Sequence, residues 1–211
     1  MKEYTDPKYW EELIDKEKGS ERVAYSDDSQ NVRIPLIVAQ MEDKEKAKVF
    51  DIGCGISYLD QMGGPFKEYV GMDFCEKSLA EDVNLSKSPN YLFVGDVRDP
   101  NFYKGVQGAD PDYTVISGLL MIAGLFESYA DALDFMIDCC KFTKKKVIGN
   151  FFWDKYIGQK DGAIRADAID NISLYLMKRN LGGRVLFGHL PHEFLVVLDP
   201  NKKDISVGLW I

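Results

Sequence analysis

The chain predicts an α/β protein built on one doubly wound sheet of seven strands, mostly parallel with the last strand antiparallel. Three observations carry this. Short continuous apolar runs alternate with helical stretches, the pattern of strands covered on both faces. The first run, Val49-Phe50-Asp51-Ile52, feeds the glycine turn Gly53-Cys54-Gly55. The last two runs are joined by the polar segment Asp199-Pro200-Asn201-Lys202-Lys203-Asp204, too short for a helical crossover, so those strands run in opposite directions.

Taken in order, strands are expected over residues 48–52, 69–73, 91–95, 113–117, 147–152, 193–198 and 205–211. Helices are expected over 7–18, 32–42, 58–63, 76–85, 128–142 and 164–180, with no internal repeat. The first helix rests on Tyr9, Trp10 and Leu13, which with Tyr4 fall near helical spacing. It lies outside the sheet, either as a packed face or as a lid over the ligand site; as a lid, Tyr25, Ser26 and Arg33 could also reach a ligand. The helix over 128–142 is closed by Lys141 and Lys144-Lys145-Lys146, cations that complement the carboxyl end of its dipole.

Composition bounds the rest. A chain of 211 residues, 45% hydrophobic and 12% aromatic, can bury one substantial core, so residues 1–211 are read as a single domain with a helical cap over 1–45 and the sheet core over 46–211. There is no run of eighteen apolar residues, and the first eighteen residues are charged throughout; neither a membrane span nor a secretory signal is expected, and the protein is placed in the cytoplasm. Cys54, Cys75, Cys139 and Cys140 fit a reducing compartment, and with no C-x-x-C or Cys/His cluster no metal is expected. A net charge of −8 weighs against a nucleic-acid partner, because phosphate backbones are held by Lys and Arg patches. The oligomeric state stays open, a homodimer included.

The glycine turn is the most informative feature. Gly53 and Gly55 let the backbone bend sharply and approach a ligand without a Cβ in the way. Asp73 follows Gly53 by twenty residues at the end of the second strand, where a carboxylate accepts from ribose hydroxyls. A pyrophosphate-binding turn would need a third glycine where this chain has Tyr58, which argues against NAD and FAD. The pattern D-x-G-x-G-x-S instead suits a nucleoside without phosphates, whose amino-acid end lies on the glycine backbone. S-adenosylmethionine has that chemistry.

On these residues the chain resembles the class I, Rossmann-like S-adenosylmethionine-dependent methyltransferases. VFDIGCGIS is similar to the first motif of that family, YVGMDF to its ribose-binding acidic strand, YLFVGDVRD to its adenine-side strand and PDYTVISGLL to its fourth motif. The resemblance implies cofactor contacts from Asp51, Gly53, Cys54, Gly55, Ser57, Asp73, Phe74, Asp96, Val97 and Ser117. Asp73 would take the ribose hydroxyls, Asp96 and the Val97 backbone the adenine, and Gly53, Gly55 and Ser117 the methionine end. Ser57 stands where the family has a third glycine. DYTVISGLL with the later HEFLVVL also resembles members that act in glycan and natural-product pathways, which implies a small-molecule or glycan-like acceptor.

Methyl transfer needs the acceptor held in line with an already activated methyl group, with a base only where a proton must leave. Asp154, just past the fifth expected strand, is the first candidate base, with Tyr156 or a lid residue behind it. His189 and His192 invite the same role, but the strand they precede is expected to begin at the end of the sheet remote from the cofactor. Phe151 to Trp153 read as core or as a wall of the acceptor pocket. Ser117-Gly118-Leu119-Leu120 lacks the Asn/Asp-Pro-Pro signature of enzymes that methylate nucleobase amines in DNA. Two alternatives remain: aminopropyl transfer on the same fold, and a cofactor-binding scaffold without turnover.

Overall fold

A computed structural model describes residues 5–16, 27–82, 86–99, 101–102, 110–120, 122, 124–153, 165–166, 169–187 and 193–209. Two helices, α1 (Pro7–Lys16) and α2 (Asp27–Val38), precede the sheet. There follow β1 (Lys48–Ile52), β2 (Glu68–Asp73), α3 (Glu76–Asp82), β3 (Asn90–Val94), β4 (Tyr113–Ile116) and α4 (Tyr129–Cys139). The chain continues through β5 (Lys146–Trp153), the two-residue β6 (Arg165–Ala166), α5 (Ile169–Lys178), β7 (Gly182–Phe187), β8 (Glu193–Asp199) and β9 (Ile205–Leu209). The helix expected over 58–63 is present, with Leu59–Gly63 in π-helical form, and it is tied down by Asp60, whose buried carboxylate accepts from Ser86, Lys87 and Ser88.

The sheet is doubly wound and mostly parallel, but it has eight strands in line rather than seven, in the order β3-β2-β1-β4-β5-β8-β7-β9, with β6 paired to β5. The reversed strand is the penultimate one. β8 runs antiparallel to both β5 and β7, and β9 lies on the far side of β7, parallel to it. The polar link 199–204 therefore crosses the amino end of β7 instead of closing a hairpin. β7 escaped the sequence reading because it begins Gly182-Gly183, which resembles a turn. Here the glycines serve close approach: a Cβ on Gly183 would run into the carbonyl oxygen of Val197 on β8, and one on Gly182 would sit 2.5 Å from the carbonyl carbon of Lys202.

Alternation along each strand sends side chains to two cores. On one face Phe50, Ile52, Met72, Ile116, Val147, Phe151 and Val196 pack beneath α4 and α5, which contribute Leu133, Met136, Ile172 and Leu176. Phe151 is thus core, stacked 5.7 Å from Phe194. On the other face Val49, Tyr69, Tyr113, Val115, Ile148, Leu195 and Val197 meet Ile34, Ile37 and Met41. Burying a residue such as Ile34 or Ile37 contributes about 1.5–3 kcal/mol, enough to hold α2 on the sheet although Pro35 removes one of its backbone donors. α4 starts at Ser128, whose hydroxyl accepts the Asp131 N–H and satisfies a donor of the first turn.

The basic run lies at the amino ends of the strands. Lys141 pairs with Asp138, Lys144 with Asp110 and Lys146 with Glu42, while the Lys145 ammonium stands 5.5 Å over the Tyr113 ring. No helix among the described residues is long and apolar enough to cross a membrane.

Because the group met by a Cβ on Gly183 is backbone and cannot swing aside, Gly183→Ala is expected to lower the unfolding free energy by about 1–3 kcal/mol. Gly208→Ala, whose Cβ would find its nearest neighbour at 3.5 Å, is expected to stay within about 0.5 kcal/mol. Urea midpoints of the two variants check the contrast.

Candidate functional site

Strand order reverses between β1 and β4, and in open α/β sheets ligands bind beyond the carboxyl ends of the strands at such a point. The turn after β1 is fixed to β2 by two hydrogen bonds, with the N–H groups of Gly53 and Cys54 donating to the Met72 carbonyl at 2.8 and 3.0 Å. Its backbone is left-handed three times in five residues, at Gly53 (φ 72°), Gly55 (φ 55°) and Ser57 (φ 56°). A Cβ on Gly53 would lie 3.1 Å from Leu119, so the missing side chain is what lets the turn and the segment after β4 close on each other. At Gly55 an added Cβ would meet nothing within 4 Å, leaving the backbone open to a ligand.

Asp73 ends β2 facing this turn. Its carboxylate accepts the Gly55 N–H at one oxygen and the Cys75 N–H at the other, both at 2.9 Å. Burial pushes its pKa above the ordinary 3.8, opposed by backbone donors at Cys75, Gly55 and Phe74. Asp51, one strand over, lies beneath the turn and accepts the Tyr69 hydroxyl at 2.7 Å. Burial, then the neighbouring Asp51 charge, raises the Tyr69 pKa and keeps that phenol a donor.

These ends form a cleft lined by Thr5, Gly53, Met72, Asp73, Phe74, Gly95, Asp96, Val97, Arg98, Leu119, Ile122 and Leu125. Apolar side chains and glycines make up most of the lining; its polar side chains are Thr5, Arg98 and two carboxylates, one at the end of β2 and another beyond β3. Asp96 accepts the Arg98 guanidinium and the Arg98 N–H, bonds that hold its carboxyl below the ordinary range. Thr5, two residues before the start of α1, reaches the lining, and α1 packs Trp10 and Ile14 against Phe74 and Cys75.

Next to the cleft lies a buried polar chain. Arg33 of α2, with no exposed surface, donates from Nε to Glu193 Oε2 at 2.8 Å and from its terminal nitrogen to Oε1. Asn150 of β5 donates to Glu193 Oε2 at 2.8 Å and accepts the Gly118 N–H at 2.7 Å. Two nitrogens of Arg33 are thus held by Glu193, and the side chain is buried. The sequence carried a signal for this group: Glu193 and Asn150 are polar residues inside otherwise apolar strands, and buried polar side chains find partners.

Of the residues singled out from the sequence, Gly53, Asp73, Phe74, Asp96 and Val97 come together in the cleft lining, while Asp51, Cys54, Gly55, Ser57 and Ser117 are not part of it. Ser57 is fully buried, with its backbone in the left-handed region. Asp154, Tyr156, Tyr25, Ser26 and both histidines lie outside the described residues. The premise used against the histidines is corrected: because β8 is reversed, Glu193 pairs with Phe152 and Phe187 with Phe194, so the ends that bracket the histidines stand at the carboxyl edge of the sheet. Leu119 and Ile122 fall in the segment 117–122 past the fourth expected strand, where ligand contacts are expected beyond the carboxyl ends, whereas Thr5 and Leu125 join the lining with no signature in the sequence.

No protein-family model and no curated protein sequence matches the chain. Solved structures do match its fold. An S-adenosylmethionine-dependent methyltransferase from Aquifex aeolicus aligns at TM-score 0.57 and 14% identity, over 92% of this chain and 98% of that one. Magnesium protoporphyrin IX methyltransferase from Synechocystis PCC 6803, with bound S-adenosylhomocysteine, aligns at 0.57 and 13%, covering 82% of each. An amino pentose methyltransferase from Micromonospora echinaspora, with bound S-adenosylmethionine, aligns at 0.55 and 12%, over 82% of this chain and 91% of that one. The fold is that of the class I, Rossmann-like S-adenosylmethionine-dependent methyltransferases.

A left-handed serine is strained where glycine would not be, by about 1–2 kcal/mol, while glycine's greater freedom in the unfolded chain returns about 0.5–1 kcal/mol of that. Ser57→Gly is therefore expected to stabilise the protein slightly, read as a higher melting temperature.

Proposed function

We propose that this protein is an S-adenosylmethionine-dependent methyltransferase whose acceptor is a small molecule or a glycan-like compound. The observation that carries the reading is Asp73: a buried, acceptor-only carboxylate at the end of β2, set against a left-handed glycine turn in a cleft with a second carboxylate at its far end. The chemistry of the cleft fits a nucleoside without phosphates, and neighbours of the same fold carry that cofactor or its demethylated product. Asp73 would hold the ribose hydroxyls, Asp96 and the Val97 backbone the adenine, and the turn from Gly53 to Gly55 the amino-acid end. Met72, Phe74, Leu119 and Ile122 would exclude water from the base.

When bound, the cofactor supplies an activated sulfonium methyl group. The protein's part is then to bind, orient and desolvate. Where the acceptor is a hydroxyl or an amine, Asp154, with Tyr156 behind it, is the proposed proton acceptor. α1 and the segment before it are proposed as a lid, supported by Thr5 in the lining and by the packing of Trp10 and Ile14 on Phe74 and Cys75. A glycan-like acceptor is favoured by the sequence resemblance and is compatible with the amino pentose specificity of one structural neighbour. Aminopropyl transfer would call for acidic groups after β4, where Ser117, Gly118, Leu119 and Leu120 stand.

S-adenosylhomocysteine at a hundred times its Kd should stabilise the fold by about 2.7 kcal/mol, a rise of about 5–10 °C for a chain of this size. Differential scanning fluorimetry reads it, and Asp73→Ala should abolish the shift. No shift with the wild-type protein would remove the reading.

The raised pKa of Asp73 sets a pH dependence. Ribose hydroxyls donate to the ionised carboxylate, so affinity for S-adenosylhomocysteine should hold at neutral pH and fall on acidification at values above 3.8, as the raised pKa is crossed. Without ligand the sign reverses: the native state holds this proton more tightly than the unfolded chain, so the contribution of Asp73 to stability declines as pH rises through the same window. Calorimetric titration across pH, compared with Asp73→Ala, tests both signs.

A further inference from the structure

We propose that Asn150 is a positioning residue for the cofactor cleft: through a buried relay that starts at Arg33 on α2, it holds the cleft wall formed by Gly118 and Leu119. This rests on the nucleoside-binding reading above and extends it to residues that touch no ligand.

The geometry gives the relay a direction. Asn150 uses both ends of its amide, accepting the Gly118 N–H at Oδ1 and donating from Nδ2 to Glu193. A flipped amide would set NH2 against N–H and oxygen against carboxylate, so its orientation is fixed twice. Glu193 is fixed in turn by the two nitrogens of Arg33. Arg33 and Asn150 have no exposed surface and Glu193 has 5%, so water cannot substitute for a lost partner. Gly118 is left-handed, at φ 82°, just past the end of β4, and Asn150 supplies a partner for its N–H. The next residue, Leu119, lines the cleft and is the side chain that a Cβ on Gly53 would crowd. Releasing Gly118 frees Leu119 to shift against the glycine turn, and the width of the cleft shifts with it.

The test is calorimetric titration of the full chain with S-adenosylhomocysteine, with melting temperature measured in parallel. Asn150→Ala is expected to weaken binding about tenfold, the worth of one well-made buried hydrogen bond. Leu176→Ala, a core change on α5, should lower the melting temperature and leave Kd within about twofold, which separates positioning from bulk destabilisation. Either charge removed alone leaves its partner buried and unpaired, so the relay is cut by the double variant Arg33→Met with Glu193→Leu, in which both charges leave together and the fold is kept. That variant should also bind about tenfold more weakly, and adding Asn150→Ala to it should change little further. If the wild-type protein binds and the cut relay binds within about twofold of it, the positioning role is overturned and the cofactor reading stands. If the wild-type protein has no affinity, the cofactor reading fails and the relay fails with it.

Discussion

A guanidinium removed from water must be matched, and the burial of Arg33 is the constraint around which this molecule is arranged. Its charge is met by Glu193 through two hydrogen bonds, and the pairing requires α2 to lie on the face of the sheet where β8 begins. That meeting is possible only because β8 is reversed: a parallel strand in its place would carry its first residue to the opposite edge. The ion pair and the single inverted strand are thus one structural decision. Such a pair is not by itself a large source of stability, since desolvation offsets most of the attraction. It does penalise arrangements that part its members, and so it fixes α2 against β5 and β8.

The ligand-binding end obeys a second constraint, the close approach of backbone segments from different strands. The turn after β1 is held to β2 through the Met72 carbonyl and closes on Leu119 through the absent side chain of Gly53. Asp73 then binds the turn from the other side through the Gly55 N–H. The carboxylate proposed for the ribose also organises the loop after β1, so on that proposal ligand recognition and local folding would draw on one group.

Much of this was legible in the sequence, for identifiable reasons. The parallel half of the sheet announced itself through apolar runs such as Lys48–Ile52 and Tyr113–Ile116, and the glycine turn and Asp73 stood out because few residue types satisfy those backbone and acceptor demands. The missed strand Gly182–Phe187 hid behind two glycines, since a sequence cannot distinguish glycine that bends a chain from glycine that lets another chain lie close. Mistaking that strand for a loop also moved the reversed strand to the end of the sheet and put the approach to Glu193 on the wrong side. Leu125 in the cleft wall was illegible for another reason: an apolar residue in a loop acquires meaning only from what faces it. The commitment of Arg33 to Glu193, 160 residues away, is of the same kind.

The two borders of the sheet are not equivalent. At one, β3 exposes Tyr91 and Val94 and leads directly into Gly95 and Asp96 of the cleft. At the other, β9 exposes Val207 and stands four strands beyond β4, about 19 Å away at the usual spacing between strands. A second molecule adding its own strand along β9 would leave the cleft clear, whereas the same association along β3 would stand in its doorway. Under the proposed function, self-assembly and turnover would be compatible along one border and in competition along the other.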